Sequence, residues 1–475
     1  VVAVPLPLIS APGRHPQASG GRLENVIVEQ LADTAGAKYI YWRAPGLKAF
    51  GTTANAVPRG QLAVGNTLYT VVGTKVYSSN SAGGAATALG GTLPGTTGVF
   101  MASNNAATPD IVIVAPGDGA FILSAGSVAS YPDTDVGQPN SVVFHKGYFI
   151  FTYGDGKTRA SGINSTSINT TDVATAESKP DTLYRPIPLG NGQILLAGSS
   201  SIEVWGGQND TGYPFSYIAT IPRGIVGQYA IAGHEDGFGL GIFLVGDDYG
   251  VSTLNGYATV KISSPDVDRA IEGTADKTTI RVSVFIAGGH SYVAVQAPLW
   301  CWVYDVGVQT WHQRKSYSNT VIINYWRAAY PVKAFEKWLC TDLLTGNILQ
   351  IDASTQDEVG TPLRMRIETG PLGAFPSPIR VNTIELYLTK GVGIATGVDP
   401  VQTEPEIELS ISRNGGQDWS NPRVLAVGGQ ALTAGRVRAH QWGHVDVQGV
   451  RTRIDCSSNV PIGFMSMDML VDKLR

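Results

Sequence analysis

The sequence predicts an all-β chain: a β-propeller of six or seven blades with an additional C-terminal β-sandwich-like domain. Three observations predict it. Between about residues 61 and 351 one unit recurs, a short apolar run, a Gly/Asn/Asp turn and a second apolar run; a strand repeat of roughly 40–50 residues is how stacked blades look in sequence. The chain holds 57 Gly and 27 Pro, with 43% hydrophobic and only 15% charged residues, which is the composition of an ordered, turn-rich protein. At 475 residues it also exceeds the length over which one hydrophobic core keeps growing, so several domains or a ring of small cores is required.

The organisation follows from where the repeat starts and stops. Residues 1–60 do not repeat and are expected to form an N-terminal arm and first strands joining the propeller. Within them Arg22 to Glu29 reads as a strand or short helix, and Ala44-Pro45-Gly46-Leu47 as a turn, because Pro fixes φ and Gly accepts positive φ. The propeller is expected over 61–355, its units anchored on Tyr69, Val112, Phe149, Leu195, Phe243, Tyr292 and Trp338, which lie 37 to 49 residues apart. Apolar runs around Gly73-Thr74-Lys75, Gly154-Asp155-Gly156 and Gly198 to Ser201 read as hairpins. Their alternation would place every second side chain between adjacent sheets.

One helix is expected. Ser264 caps it, Pro265 opens it, Asp266 and Asp268 supply early negative charge, and Gly273 stops it. Residues 361–475 carry strands such as Thr383 to Leu388, Glu406 to Ser412 and Val450 to Asp455. There Glu385, Glu406, Glu408, Arg451 and Arg453 alternate with apolar neighbours, so one sheet face should be wet, and a β-sandwich is the natural packing.

Charge and cysteine content narrow the function. A net charge of -4 argues against a protein that grips nucleic acid; residues 1–360 hold 22 basic and 27 acidic side chains, residues 361–475 hold 12 and 11. No run of 18 apolar residues is present, so no spanning helix is expected. Val1 to Leu8, broken by Pro5 and Pro7, makes a poor secretory signal. Cys301, Cys340 and Cys456 form no spacing pattern, so assembly in a reducing compartment and no disulfide are expected.

The motifs that suggest chemistry each lack a part. Gly154-Asp-Gly-Lys-Thr158 has Phe151 where a phosphate loop needs Gly. Asp133-Thr-Asp-Val-Gly137 starts like a calcium loop without its terminal Glu. His440 and His444 would lie on one side of an extended strand, roughly 13 Å apart, too far for one zinc. Ser412-Arg-Asn-Gly-Gly-Gln-Asp-Trp419 resembles the hairpin box of sialidases, a folding element in which a polar side chain ties the turn. Aromatics from Trp300 through Trp302, Tyr304, Trp311, Tyr317 and Tyr325 to Trp326 read as blade packing before they read as a sugar platform. For a glycan hydrolase, only Glu203, Glu235, Asp247 and Asp248 are candidate internal acids, and they would have to converge on one pocket. No catalytic, cofactor or metal residue is predicted.

Several segments together resemble the tail hub, or nozzle, proteins of short-tailed bacteriophages, also described as packaged-DNA stabilisation proteins. They are Asn25 to Glu29 with Arg43 to Phe50, Val260 to Ile271, Gly289 to Val295 with Trp302 to Asp305 and Trp311 to Arg314, and Ser410 to Trp419. The first ten residues and Ser81 to Thr97 match nothing in that pattern. The resemblance implies a structural virion protein in the phage tail, assembled in the host cytoplasm and without enzymatic activity. It implies a homohexamer under the portal and its adaptor, a distal needle or plug and tail fibres or spikes as further partners, and genomic duplex DNA passing through a channel without specific binding. A basic wall would trap a polymer carrying about one charge per 1.7 Å, whereas a mildly acidic one would not. The alternatives are a propeller glycan hydrolase and a carbohydrate- or receptor-binding tail protein.

Overall fold

The computed structural model describes the chain except residues 33–36, 177, 208–211, 319–320, 374 and 474–475. Seven four-stranded antiparallel units follow one another around an axis. Blades 1 to 4 begin with the strands Pro58–Val64, Phe100–Ser103, Ser141–His145 and Leu183–Pro188, and blades 5 to 7 with Ile231–Ala232, Arg281–Ala287 and Ala328–Ala334. These first strands are the innermost. Each packs on the next, Arg185 of blade 4 reaching the Ile231 carbonyl of blade 5, and Ala328–Ala334 returns to Pro58–Val64 to complete the circle. The propeller therefore has seven blades, and each of the seven anchor residues falls on the second strand of its own blade.

Strand alternation explains why the ring holds. In blade 2, Ile111 and Ile113 pack with Val71 and Val76 of blade 1, while Val112 and Val114 pack with Phe149 and Phe151 of blade 3. In blade 4, Ile194 and Leu196 face Ile150 of blade 3, and Leu195 and Ala197 face blade 5. Successive side chains point to opposite sheet faces, so each second strand serves two interfaces, and every large aliphatic group buried there contributes about 1.5–3 kcal/mol.

Blade 7 takes its fourth strand from the other end of the chain: Ile348–Asp352 pairs antiparallel with Gly46–Thr52. The stretch from Ser81 to Thr97 then seals the junction. Its Gly84–Ala85 pairs with Gly51 and Thr52, and its Thr87–Ala88 is the outermost strand of blade 1.

The sandwich draws on both ends of the sequence. One sheet orders Val26–Gln30, Tyr39–Arg43, Phe464–Lys473, Ile379–Leu388 and Val437–Val445, with Val2–Val4 also paired to Phe464–Lys473. The facing sheet orders Gly21–Glu24, Met365–Thr369, Arg451–Cys456, Glu406–Ser412 and Arg423–Ala426. Leu23, Val26, Val28, Ile367, Ile384, Leu409, Trp442 and Met469 fill the core between them. Of the first 60 residues, then, only Gly46–Thr52 and the start of Pro58–Val64 lie in the propeller. Arg22 to Glu29 is neither one strand nor a helix: it turns at Asn25, whose φ is 55°, and passes from one sheet to the other. Asn25 fixes the corner by donating to the Arg364 carbonyl (2.8 Å) and accepting from the Lys315 amide (3.0 Å). Asn tolerates this left-handed backbone better than most side chains.

Propeller and sandwich share a sheet. Gly21–Glu24 pairs parallel with Thr310–Gln313, the outer strand of blade 6, giving nine continuous strands. The expected helix is present as Pro265–Glu272, with Ser264 as its cap and Val267 and Ile271 buried in the core of blades 4 to 7. No helix among the described residues is long and apolar enough to cross a membrane.

Candidate functional site at the propeller axis

The innermost strands of blades 1 to 4, 6 and 7, with the residues flanking Ile231–Ala232 of blade 5, line an axial cavity of about 360 Å³. Its polar wall is assembled from different blades. Arg185 (blade 4) stacks over Phe100 (blade 2), 4.9 Å from the ring centre, and its guanidinium reaches the Ile231 carbonyl (3.0 Å) and His234 Nε2 (3.3 Å). Arg281 (blade 6) lies over Tyr330 (blade 7) at 4.9 Å and over Tyr229 at 5.8 Å. Tyr229 stacks on Phe100 at 5.1 Å and donates to the Gly98 carbonyl (2.7 Å). Tyr330 projects from a strand irregularity between Ala329 and Val332, with φ of 50°, and its buried hydroxyl has no partner among the described residues.

Burial leaves the titratable groups around this cavity poorly poised to exchange protons at neutral pH. Burial pushes His234 down to about 4; the nearby Glu235 carboxylate offsets this in part, and the Arg185 charge adds to it. The ring is therefore neutral at pH 7, with Nε2 accepting from Arg185. Burial also raises the Tyr229 and Tyr330 phenols, so neither is a ready base. Glu235 is occupied in its own turn, accepting from the Gly233 amide at 2.6 Å.

The four candidate acids do not converge. Glu203, in blade 4, accepts from the Ser178 amide (2.8 Å) and Trp205 Nε1 (2.8 Å) and is buried away from the axis. Asp247 and Asp248, on a turn of blade 5, pair with Arg223 at 2.8 and 3.4 Å. Only Glu235 lines the axial cavity. Each acid has a structural partner, and the four lie in three separate places, with Asp247 and Asp248 together on Arg223.

The remaining motifs are folding elements. Gly154 to Gly156 is a hairpin turn in which Lys157 pairs with Asp155 (2.7 Å). Asp133 caps a short 3₁₀ turn through the Asp135 amide (3.0 Å) and accepts from the Ile168 amide (2.7 Å). His440 and His444 are exposed on Val437–Val445, and His440 bonds Thr383 (2.9 Å). In the sialidase-like box Asn414 accepts from the Asp418 amide (3.0 Å) and Ser412 from the Gly416 amide (2.7 Å). No group of three or more His, Cys, Asp or Glu able to hold a metal is found among the described residues. Trp302, Tyr304, Trp311, Tyr317 and Trp326 are buried in and beside blades 6 and 7, and all three cysteines are free and buried.

Arg451 and Arg453 differ from the expected wet face. Residues 12–19 fold over them, and Arg451 donates to the Pro16 carbonyl (3.1 Å) and Ser19 Oγ (3.3 Å). Strand alternation gives the face a side chain takes, but it is silent on a segment from far away covering that face. The axial cluster of Arg185, Tyr229, Arg281 and Tyr330 is hidden in the sequence for a similar reason. Its available signal was an Arg or Tyr on the first strand of blades 4, 6 and 7, where aliphatic residues prevail.

Comparison with known proteins bears on this geometry. A family profile described as "Bacteriophage P22 Gp10, beta-propeller" matches residues 23–356. No curated protein matches the chain. Among solved structures, the chain is similar to PorZ, an essential bacterial surface component of the type-IX secretion system of Porphyromonas gingivalis: TM-score 0.39 and 13% identity, over 72% of this chain and 45% of PorZ. It is similar also to the WD40 β-propeller domain of Doa1, with TM-score 0.40 and 10% identity over 64% of this chain and 96% of that one. YCF48 bound to D1 peptide gives TM-score 0.40 and 10% identity over 64% and 95%. The chain thus spans less than half the length of PorZ.

Proposed function

The chain belongs to the bacteriophage P22 Gp10 β-propeller family, and from that premise we propose that it is one subunit of the hexameric tail hub, or nozzle, below the portal and adaptor. In this reading the ring surrounds the DNA exit channel and helps retain the packaged genome until ejection. A phage structural role follows from the family itself. The observation that carries the reading is that the match runs through all seven blades, from residue 23 to residue 356.

Three features support the finer assignment. The axial cavity, at about 360 Å³, sits at the small-molecule end of pocket sizes (~300–1,000 Å³) and is far too small for a duplex, so a DNA conduit has to lie between copies of the chain. The sheet shared by blade 6 and the sandwich makes one stiff body, suited to bearing the pressure of a packed genome. The mild acidity of residues 1–360 suits a wall along which DNA slides without being held. Partners on this reading are the adaptor and portal above, and a needle or plug with fibres or spikes below, in the virion tail.

The test is to mix purified chain with an adaptor–portal complex and image the product. A six-fold ring around a central channel is expected; a monomer that never joins the complex would overturn the proposal. Duplex affinity at physiological salt should be weak, and nanomolar, steeply salt-dependent binding would contradict the passive channel.

A further inference from the structure

A second cavity, of about 310 Å³, opens where the N-terminal segment crosses the outer face of the sandwich. Its floor is set by strand register. Arg22 stands opposite Glu368, and Glu368 opposite Arg453, so the three side chains share one face of the sheet. Arg451, two residues from Arg453, lies on the same face. The opposite face carries Leu23, Ile367 and Ile454 into the core, which fixes the register: a one-residue slip would bury the arginines.

Charge is left over in this pocket. Glu368 accepts from Arg453 (2.8 Å) and lies 3.6 Å from Arg451. Arg366, also close, is committed to Asp455 through two bonds of 2.7 and 2.9 Å. One carboxylate therefore faces three guanidiniums, a surplus of about two positive charges, and Arg14 adds another at the mouth. Arg22 Nε is buried without a hydrogen-bond partner among the described residues. Burial pushes the Arg451 guanidinium below its ordinary value, Glu368 offsetting this and Arg22 and Arg453 adding to it. The arginines are held in place: Arg453 lies 3.8 Å over Trp419, and Arg451 bonds the Thr369 carbonyl (2.8 Å) as well as Pro16 and Ser19. The loop forming the lid is itself tied to the propeller, where the Gly13 amide donates to Asp266 (3.0 Å).

We propose that this pocket is a binding site for a small phosphate-class dianion, held by Arg22, Arg451 and Arg453 with Arg14 at its entrance. A phosphate group carries a charge of about −1.5 to −2 near neutral pH and presents several acceptor oxygens, matching both the surplus and the forked donors. The roof formed by residues 12–16 leaves room for a free or terminal phosphate and shields the floor from the flank of a duplex. Its occupant would bind the N-terminal segment, the sandwich and, through Asp266, the propeller into one unit. The inference does not depend on the tail-hub reading.

The test is calorimetric titration of the full chain with inorganic phosphate, against chloride at equal ionic strength. Saturable binding near one per chain is expected, with affinity falling about ten- to hundredfold in Arg22→Gln, the range for one hydrogen bond to a charged group. Arg14→Gln, at an exposed position, should weaken binding without altering the unfolding temperature of the phosphate-free protein. Absence of saturable binding in the wild type, or wild-type affinity retained in both variants, would overturn the site. A short duplex that competes with phosphate would overturn the small-anion assignment.

Discussion

Ile351, in the last repeat, stands directly opposite Leu47, in the first tenth of the chain, on neighbouring antiparallel strands. This pairing closes the ring. Blade 7 makes three strands from its own segment and waits for Gly46–Thr52, so the propeller is complete only when strands from opposite ends have met. Loop-closure entropy opposes that meeting, and the buried contacts of Leu47, Leu349 and Ile351 repay it.

Leu47→Ala is expected to destabilise the protein by about 2–5 kcal/mol, the usual cost of truncating a fully buried Leu. Gly46→Ala should also destabilise, because an added Cβ would sit 2.3 Å from the Asp357 carbonyl and 2.5 Å from that of Thr355. Gly190→Ala, in open space, is the control. Denaturant midpoints measure all three; a silent Leu47→Ala would mean that the closing strand carries little of the stability.

Arg314 and Glu358 form a buried pair at the junction, 3.3 Å apart, with Arg314 also donating to the Pro45 carbonyl and lying 5.0 Å over Trp326. Removing one partner strands the other charge, so Glu358→Leu should cost about 3–5 kcal/mol. Arg314→Leu combined with Glu358→Leu should cost less than the sum of the single changes. A double-mutant cycle on chemical unfolding tests this coupling.

His290 bridges the two domains, bonding Asp305 in blade 6 (2.6 Å) and Glu29 in the sandwich (3.2 Å). The Asp305 hydrogen bond is the main cause that raises its pKa above the ordinary value. A raised folded pKa contributes stability that is fully present below the unfolded value of about 6.5 and is lost as pH rises through the folded one. His290→Gln should therefore cost more at pH 6 than at pH 9. Equal losses at both would refute the ionic bridge.

His234 and His312 act in the opposite sense. Burial pushes them down to about 4 and about 3, with Arg185 and Arg314 respectively adding to the effect. Between about 6.5 and those values the unfolded chain binds protons that the folded chain refuses, so stability falls as pH falls through that window. His312→Gln should flatten the acid limb of a stability–pH curve, and ring proton shifts followed by NMR should not titrate above pH 5.

Much of the propeller was legible because its interfaces are periodic. The anchors from Tyr69 to Trp338 each lie on the second strand of a blade, since a strand buried on both faces must be apolar whichever neighbour it meets. The hairpin turns and the helix cap at Ser264 were local and equally readable. The axial cluster was not, because Arg185, Arg281 and Tyr330 acquire meaning only when blades far apart in sequence point at one axis. The arginine pocket was half legible: the alternation of Arg451 and Arg453 was plain, their roof was not.

By itself the sequence determined the strand period, the places where chains turn, the alternation that gives each blade two apolar faces, and the family to which these belong. The tertiary structure alone decided that there are seven blades, that the last is closed by Gly46–Thr52, and that the first strands split between two sheets at Asn25. Local patterns report what a residue can bury, while pairing across hundreds of residues depends on which edge is left open once every nearer partner has been used.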